Sequence, residues 1–252
     1  MICEERKTIR GIPAIISRRD DNSKKPLVIL SHGFTQSKDT YSANGCLKEL
    51  AELGYYAVAI DNRLHGDRPG PDFHSAVMNS SGEIDLLALR MAMKETADDV
   101  KLLIDDLSVL EEVDEERIAM VGVSMGGFIT YRTIVIDDRI KVGIPIISSP
   151  YWDDIPGDVS VQKTSEAELE TFFEKYQPLK CMDLFYPTAL LIQVGEMDQH
   201  YNLNKVKKYY EDLANYYVDS PNKIKLIVYP DTKHEFIQVM WEQALQWLRN
   251  FI

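Results

Sequence analysis

Short runs of apolar residues alternate along the chain with longer stretches in which apolar positions recur every three or four residues. The short runs predict strands and the longer stretches predict helices. Nearly continuous apolar character is expected of parallel strands that have helices on both faces. Six runs predict central strands, at 26–31, 55–61, 117–123, 142–148, 188–194 and 224–229.

Helices are predicted between these runs, at 41–53, 96–110, 125–136, 203–217 and 235–251. Residues 8–17 predict a further strand or hairpin at the sheet edge, where Pro13 is tolerated because an edge strand can spare an N–H. Alternation of this kind predicts an α/β fold, with a mostly parallel central sheet and helices on both faces.

Two segments interrupt the alternation, at 63–94 and 151–186. Long connections in a compact domain tend to be functional covers. We expect both to cover the edge of the sheet that holds the active site, the second as a small lid with a helix over 166–176. The aromatic residues of this second segment either line a substrate pocket or hold the lid down; they are Tyr151, Trp152, Phe172, Phe173, Tyr176, Phe185 and Tyr186.

The length of 252 residues fits one domain over 1–252. A net charge of −12 would repel nucleic-acid phosphates and anionic lipid headgroups, so neither nucleic acid nor membrane is an expected partner. Cys3, Cys46 and Cys181 form no CxxC pair and predict reduced thiols. The charged N-terminus and the absence of a long apolar run predict a cytoplasmic protein.

Ser124 lies in Gly-Val-Ser-Met-Gly-Gly, directly after a predicted strand and before a predicted helix. A serine at such a junction must adopt a positive φ in a sharp turn, and the glycines two residues before and after it remove Cβ atoms that would clash. The pattern predicts a nucleophile, although by itself it also fits a simple glycine-rich turn.

A serine nucleophile needs a base and a carboxylate that orients the base. His234 follows the last predicted strand, and Asp198 follows the strand before it, with Glu196 as the alternative acid. Parallel strands end at the same edge of a sheet, so these side chains are expected to meet Ser124 there. The chain order Ser124, Asp198, His234 is that of an α/β-hydrolase triad.

Two backbone amides are expected to stabilise the oxyanion of the reaction. One is the amide of Met125, directly after the nucleophile. The other is the amide of Phe34, in the Ser-His-Gly-Phe sequence that follows the first central strand. His32 in that sequence is predicted to be structural rather than a second base.

These motifs resemble those of the α/β-hydrolase superfamily over nearly the whole chain. Ser31-His32-Gly33-Phe34 and residues 61–67 resemble the branch that holds prolyl-oligopeptidase-like domains, dienelactone-hydrolase-like proteins and small bacterial esterases. Dienelactone-type relatives carry cysteine as nucleophile, which disfavours that activity here. Relatives often carry glycine where this chain has Asp231, a residue type that tolerates left-handed backbone.

The leading prediction is a serine carboxylesterase that hydrolyses small to medium acyl esters and needs no metal or organic cofactor. A peptidase with the same residues is the alternative, and a non-catalytic ligand-binding homologue is the third. Oligomeric state stays open.

Four polar residues of the first covering segment could be imagined as metal ligands, but their spacing matches no known site; they are His65, Asp67, Asp72 and His74. A polar loop packed over the sheet edge is the preferred interpretation. Arg63 is expected to anchor that loop by pairing with a carboxylate, and His200 is interpreted as a loop residue.

Overall fold

The structure is a computed structural model that describes residues 1–154, 160–162 and 165–252. Eight strands of these residues form one sheet in the order β1-β2-β4-β3-β5-β6-β7-β8. They are β1 (Ile2–Ile9), β2 (Ile12–Arg19), β3 (Lys25–Ser31), β4 (Tyr56–Ile60), β5 (Val113–Val123), β6 (Ile140–Ile146), β7 (Ala189–Gly195) and β8 (Ile224–Tyr229). Strand β2 pairs antiparallel with β1 and β4, and the remaining pairs are parallel. The predicted mostly parallel sheet is confirmed.

All six predicted central strands are present. Every residue of β3 and β7 is buried, as expected for strands covered on both faces. The edge segment is a hairpin, in which Arg10 and Gly11 have φ of 49° and 78°. Two consecutive positive φ values are typical of the tight turns that join antiparallel strands. The expectation that Pro13 lies on an edge strand is wrong, because it lies in β2, which has β1 on one side and β4 on the other.

Eight α-helices are present in the described residues: α1 (Asp39–Ala43), α2 (Cys46–Glu52), α3 (Phe73–Val77), α4 (Leu86–Leu107), α5 (Met125–Ile136), α6 (Glu166–Tyr176), α7 (Leu203–Ala214) and α8 (Gln238–Phe251). Short 3-10 helices cover Pro178–Leu184, Asn215–Tyr217 and Pro221–Lys223. Helices α5 and α6 have the predicted bounds. Helix α7 ends earlier than predicted and passes into a 3-10 turn, and α8 begins three residues later.

Two helix predictions are wrong in an informative way. The helix expected over 41–53 is divided into α1 and α2, because Gly45 between them has φ of 82°, outside the helical region. The helix expected from residue 96 begins at Leu86, since the carboxylate of Asp85 accepts a hydrogen bond from the Ala88 amide and caps it. The first turns of α4 therefore lie in the segment that was expected to be a loop.

Helices cover the sheet in two groups. Helices α2 and α8 are joined by a hydrogen bond of 2.8 Å from Trp241 Nε1 to the Glu49 carboxylate. Helix α5 packs against α4 and against β3, β5 and β6, and the rings of Tyr131 and Tyr209 join it to α7. None of the helices in the described part of the chain is long and apolar enough to cross a bilayer.

The second covering segment is described only in part, because 155–159 and 163–164 lie outside the described residues. Its helix α6 is present as predicted. A bridge between Ile84 and Val161 joins it to the first covering segment. The two covering segments therefore meet over the same edge of the sheet.

Candidate active site

Ser124 occupies the turn between β5 and α5 with φ of 55° and ψ of −115°. This strained conformation is the one predicted from the glycine pattern. A Cβ on Gly122 would lie 2.0 Å from the Gly126 carbonyl oxygen, and a Cβ on Gly126 would lie 1.9 Å from the Ser31 carbonyl oxygen. Both positions therefore require glycine, because β5, α5 and β3 approach each other closely around Ser124.

Three predicted side chains meet at the carboxyl edge of the sheet. The Ser124 Oγ lies 2.8 Å from His234 Nε2, and His234 Nδ1 lies 2.7 Å from Asp198 Oδ2. Because a carboxylate only accepts hydrogen bonds, Nδ1 carries the hydrogen and Nε2 is left to accept from the Ser124 hydroxyl. This is the tautomer that a general base needs.

Asp198, and not Glu196, lies against His234. The Asp198 side chain is fully buried, whereas Glu196 is exposed and accepts a hydrogen bond from the Asp231 amide. Burial alone would raise the pKa of Asp198, but hydrogen bonds from His200 and His234 outweigh it and hold the pKa well below its ordinary value. Asp231 has φ of 53°, so the expected left-handed turn before His234 is present.

His200 is a residue whose position the sequence analysis missed. Its ring stacks on the His234 ring, with centroids 3.7 Å apart and 22° between the planes. Asp198 Oδ1 accepts the His200 backbone N–H at 2.9 Å and lies 3.2 Å from His200 Nδ1. The Asp198 carboxylate thus contacts both imidazole rings. An Asp-x-His spacing after a strand is the sequence signal that could have predicted the second contact.

The same three residues have the composition of a metal site. One donor atom from each of Asp198, His200 and His234 lies within 4.8 Å of the others. These atoms also make the hydrogen bonds that orient His234. A metal ion bound here would compete with those hydrogen bonds.

The loop after β3 brings a backbone amide towards Ser124. The Asn62 amide donates to His32 Nε2 at 3.1 Å, so the other ring nitrogen, Nδ1, carries a hydrogen and donates to the Gly33 carbonyl at 2.7 Å. In a trans peptide the N–H is opposed to the carbonyl, so the Phe34 N–H points away from His32. The Cβ position of Gly33 is 3.5 Å from Ser124 Cβ, which places this loop directly against the serine.

The Met125 amide is the second expected donor. Met125 is the first residue of α5, and the first amides of a helix have no acceptor within the helix. They also lie at the positive end of the helix dipole. The Phe34 and Met125 amides therefore belong to the two segments that lie directly against Ser124.

The buried His32 makes stability depend on pH. Burial lowers the pKa of His32 to about 4, below its ordinary value of 6.5, so the unfolded chain takes up a proton there more readily than the folded chain. We expect this residue to remove up to about 3 kcal/mol of the free energy of unfolding as pH falls from 6.5 towards 4. Urea unfolding of wild type and His32→Asn across this range measures the effect.

In these measurements the wild-type free energy of unfolding should fall more steeply with decreasing pH than that of His32→Asn. His74→Asn, which changes an exposed histidine, is the control and should keep the wild-type slope. Equal slopes for wild type and His32→Asn would contradict the assignment of His32 as a buried neutral imidazole.

The Asp61 carboxylate, directly after β4, anchors the neighbouring loop that follows β3. The Lys38 amide donates to Asp61 Oδ1 at 2.9 Å, and Lys38 Nζ donates to Oδ2 at 2.8 Å. The Asp67 amide also donates to Oδ2 at 2.8 Å. A Cβ on Gly66 would lie 2.2 Å from the Asp61 carboxylate, so the glycine lets the backbone approach it. The pattern of residues 61–67 is thus explained by one buried carboxylate.

The possible metal ligands of the first covering segment have structural partners instead. His65 Nδ1 donates to the Arg63 carbonyl and its Nε2 accepts the Thr35 amide. Asp67 pairs with Lys38, Asp72 caps α3, and His74 is exposed. Arg63 makes two hydrogen bonds of 2.6 Å to Asp99, which confirms the expected pairing with a carboxylate.

A cavity of about 390 Å³ opens beside Ser124 and His234. Its aromatic lining comes from Phe34, Phe128 and Phe236. The aromatic residues of 151–186 were expected either to line the pocket or to hold the lid down. None of them lines the cavity in the described structure, so the first alternative is wrong. Trp152 is fully buried, for example, and stacks on Phe172 with centroids 6.1 Å apart. These residues hold the covering segment down.

Comparison with known proteins agrees with this geometry. The family model described as "Serine aminopeptidase, S33" matches residues 22–227. The chain belongs to this family. It is therefore a hydrolase of the α/β-hydrolase superfamily.

Individual relatives span the whole chain. A Bacillus subtilis (strain 168) protein named "Putative esterase YitV" is 26% identical over 276 residues, covering 100% of both chains. The crystal structure of TT1662 from Thermus thermophilus superposes with a TM-score of 0.80 at 19% identity, over 99% of this chain and 98% of that one. The Pyrococcus furiosus esterase Pf2001 gives a TM-score of 0.68 at 20% identity, over 100% and 93%. These two structures share the fold of this member of the serine aminopeptidase S33 family.

Proposed function

We propose that the protein is a serine carboxylesterase that cleaves small to medium acyl esters through an acyl-enzyme. The observation that carries this proposal is the hydrogen-bonded series from Ser124 through His234 to Asp198, at the wall of an apolar cavity. An apolar cavity with few polar groups suits a small ester. It also keeps water away from the oxyanion.

In this mechanism Ser124 Oγ attacks the ester carbonyl while His234 Nε2 takes its proton. Asp198 holds the ring in the required tautomer and stabilises the imidazolium. The Phe34 and Met125 amides stabilise the oxyanion. His234 then gives the proton to the leaving alcohol, and a water molecule activated by His234 hydrolyses the acyl-enzyme.

A peptidase is the alternative function, because the matching family is described as a serine aminopeptidase. An aminopeptidase recognises a free ammonium group, for which a carboxylate is the natural partner. Among the described residues that line the cavity there is no aspartate or glutamate, and the charged lining residue is Arg90. A positive charge in the cavity disfavours an ammonium substrate, so we place the esterase first.

The experiment compares p-nitrophenyl acetate and butyrate with alanyl and prolyl p-nitroanilides on the purified protein. We expect kcat/KM to be higher for the esters by at least about 100-fold, because an anilide is the harder bond to cleave and its free amine meets Arg90. A fluorophosphonate probe should label wild type and fail to label Ser124→Ala. Faster turnover of the anilides would favour the peptidase, and folded protein that takes no label would favour a non-catalytic binding role.

We also propose that residues 1–252 form one α/β-hydrolase domain in which 63–94 and 151–186 cover the active site. A cytoplasmic location is proposed on the free thiols of Cys3, Cys46 and Cys181, which suit a reducing compartment. Localisation of a fluorescently tagged full chain would test it, and recovery in an oxidising compartment would contradict it.

A further inference from the structure

Arg90 places a positive charge in the wall of the cavity beside Ser124. It lies on α4, where Leu86, Leu89, Arg90 and Met93 all line the cavity. Positions separated by three and four residues share one face of a helix, so this face is the wall. Arg90 is only 3% exposed, and a guanidinium so deeply buried normally has a carboxylate partner.

In the described part of the chain, Arg90 has no carboxylate within hydrogen-bonding distance. Nε and Nη2 each donate at 2.7 Å to backbone carbonyls, those of Trp152 and Asp154. The Asp154 carboxylate is turned to Lys205, which donates to it at 2.8 Å. Arg90 therefore makes its hydrogen bonds to neutral acceptors and lies over the face of Phe128, whose ring centroid is 5.0 Å from Cζ. The carboxylates of Asp153 and Asp154 act on its charge only from beyond hydrogen-bonding distance.

Within residues 1–154, 160–162 and 165–252, one edge of the guanidinium has only a weak acceptor. The two carbonyls occupy the edge formed by Nε and Nη2. The other edge, formed by Nη1 and the second hydrogen of Nη2, has the Met93 sulfur as its acceptor, 3.3 Å from Nη1. A thioether is a weak acceptor on a flexible side chain, so a carboxylate could displace it and bind through two parallel hydrogen bonds. Burial lowers the pKa of Arg90 to about 10, so it stays charged near neutral pH.

The position of Arg90 fits the far end of a substrate rather than the reacting bond. Ser124 and Phe128 lie one turn apart at the start of α5, about 6 Å along the helix. Arg90 lies over the Phe128 ring, on the side towards α4. A substrate that reaches from Ser124 past Phe128 brings a remote group to the free edge of Arg90.

We propose that Arg90 is the specificity-determining residue of this cavity, and that it binds a carboxylate carried by the ester substrate at a distance from the scissile bond. The inference rests on the proposed esterase function. It assigns the substrate class as anionic esters, in which the carboxylate belongs either to the acyl group or to the alcohol.

The test measures kcat/KM on matched pairs of esters. For the acyl side, monomethyl esters of succinic to azelaic acid are compared with methyl esters of neutral acids of the same length. For the alcohol side, acetates of hydroxy acids are compared with acetates of plain alcohols. We expect wild type to prefer the anionic member of a pair at one or more lengths, on one of the two sides.

Arg90→Gln should lower the ratio of anionic to neutral kcat/KM by about 10- to 100-fold, the worth of a charged hydrogen-bonded pair. Arg90→Lys should give a ratio between those of wild type and Arg90→Gln, because lysine keeps the charge but cannot make two parallel hydrogen bonds to a carboxylate. The control is Arg132→Gln. Like Arg90, Arg132 lies over an aromatic ring, here that of Tyr176, but it is half-buried and does not line the cavity. This variant should keep the wild-type ratio.

If the only role of Arg90 is to hold residues 151–154 against α4, Arg90→Gln should lower kcat/KM equally for both esters of each pair. This result would overturn the proposal. Preference of wild type for the neutral ester at every length also overturns it. If Arg90→Gln fails to fold, inhibition of the wild-type protein is measured instead. A dicarboxylate should inhibit the turnover of a neutral ester at a lower concentration than the monocarboxylate of equal length. Equal inhibition by the two acids would contradict the proposal. Failure of wild type on every ester, neutral ones included, would instead refute the esterase function.

Discussion

Ser124→Ala is expected to lower kcat/KM for p-nitrophenyl acetate by on the order of 10⁶-fold. The hydroxyl at 2.8 Å from His234 Nε2 is the nucleophile of the proposed mechanism, and alanine removes the atom that forms the acyl-enzyme. The substitution adds no atoms to a crowded turn, so the fold should be retained. Steady-state kinetics with circular dichroism and a thermal melt would measure both properties.

Ser148→Ala is the matched control. Ser148 is a buried serine near α5, and its hydroxyl has no hydrogen-bond partner in the described residues. Its loss should leave kcat/KM close to that of wild type. A Ser124→Ala protein that is folded and retains more than about one per cent of wild-type turnover would refute the nucleophile assignment, since a triad serine contributes far more than that.

Lys38→Met is expected to lower the free energy of unfolding by about 3–5 kcal/mol. The side chains of Lys38 and Asp61 are 2% and 0% exposed, so the substitution leaves a buried carboxylate without its cation. Burial alone would lower the pKa of Lys38, but hydrogen bonds to Asp61 and Asp67 raise it, which agrees with a charged pair. Because Lys38 fixes the loop that carries Phe34, kcat should also fall. Urea unfolding and ester kinetics measure these effects.

Lys24→Met provides the comparison for this second substitution. Lys24 pairs with Glu115 at 3.0 Å, but the two side chains are 55% and 46% exposed. Exposed pairs contribute at most about 1 kcal/mol, so this variant should be nearly as stable as wild type. A similar small loss for Lys38→Met would mean that water, or the amides of Lys38 and Asp67, can support the Asp61 carboxylate without the ammonium.

The parts of the site that sequence predicts are those that follow from strand ends. Ser124, Asp198 and His234 each follow a strand of the parallel sheet, and the common direction of those strands is enough to bring them together. In the sequence, the turn at Gly195 favours Asp198 over Glu196, because it first leads the chain away from the strand end. The structure agrees, because the first acid after the strand points to solvent and the second points inward.

Other contacts depend on packing between distant segments, which local patterns do not encode. Lys38 reads as an ordinary polar loop residue, yet it is buried against an acid 23 residues away. Arg90 falls within the first predicted covering segment, because the sequence pattern does not reveal the helix start that Asp85 caps. The role of His200 depends on a contact with the second carboxylate oxygen of Asp198, which the sequence does not show.

The hydrogen bond between Ser124 and His234 joins positions 110 residues apart, and His234 follows β8, the last strand along the described chain. Strands β6, β7 and β8 must all be added to the sheet before these two side chains can meet. A nascent chain still lacking its last strand thus holds a serine with no base beside it. In the proposed mechanism, hydrolytic activity is acquired only after β8 and the segment that carries His234 have been synthesised and have joined the sheet.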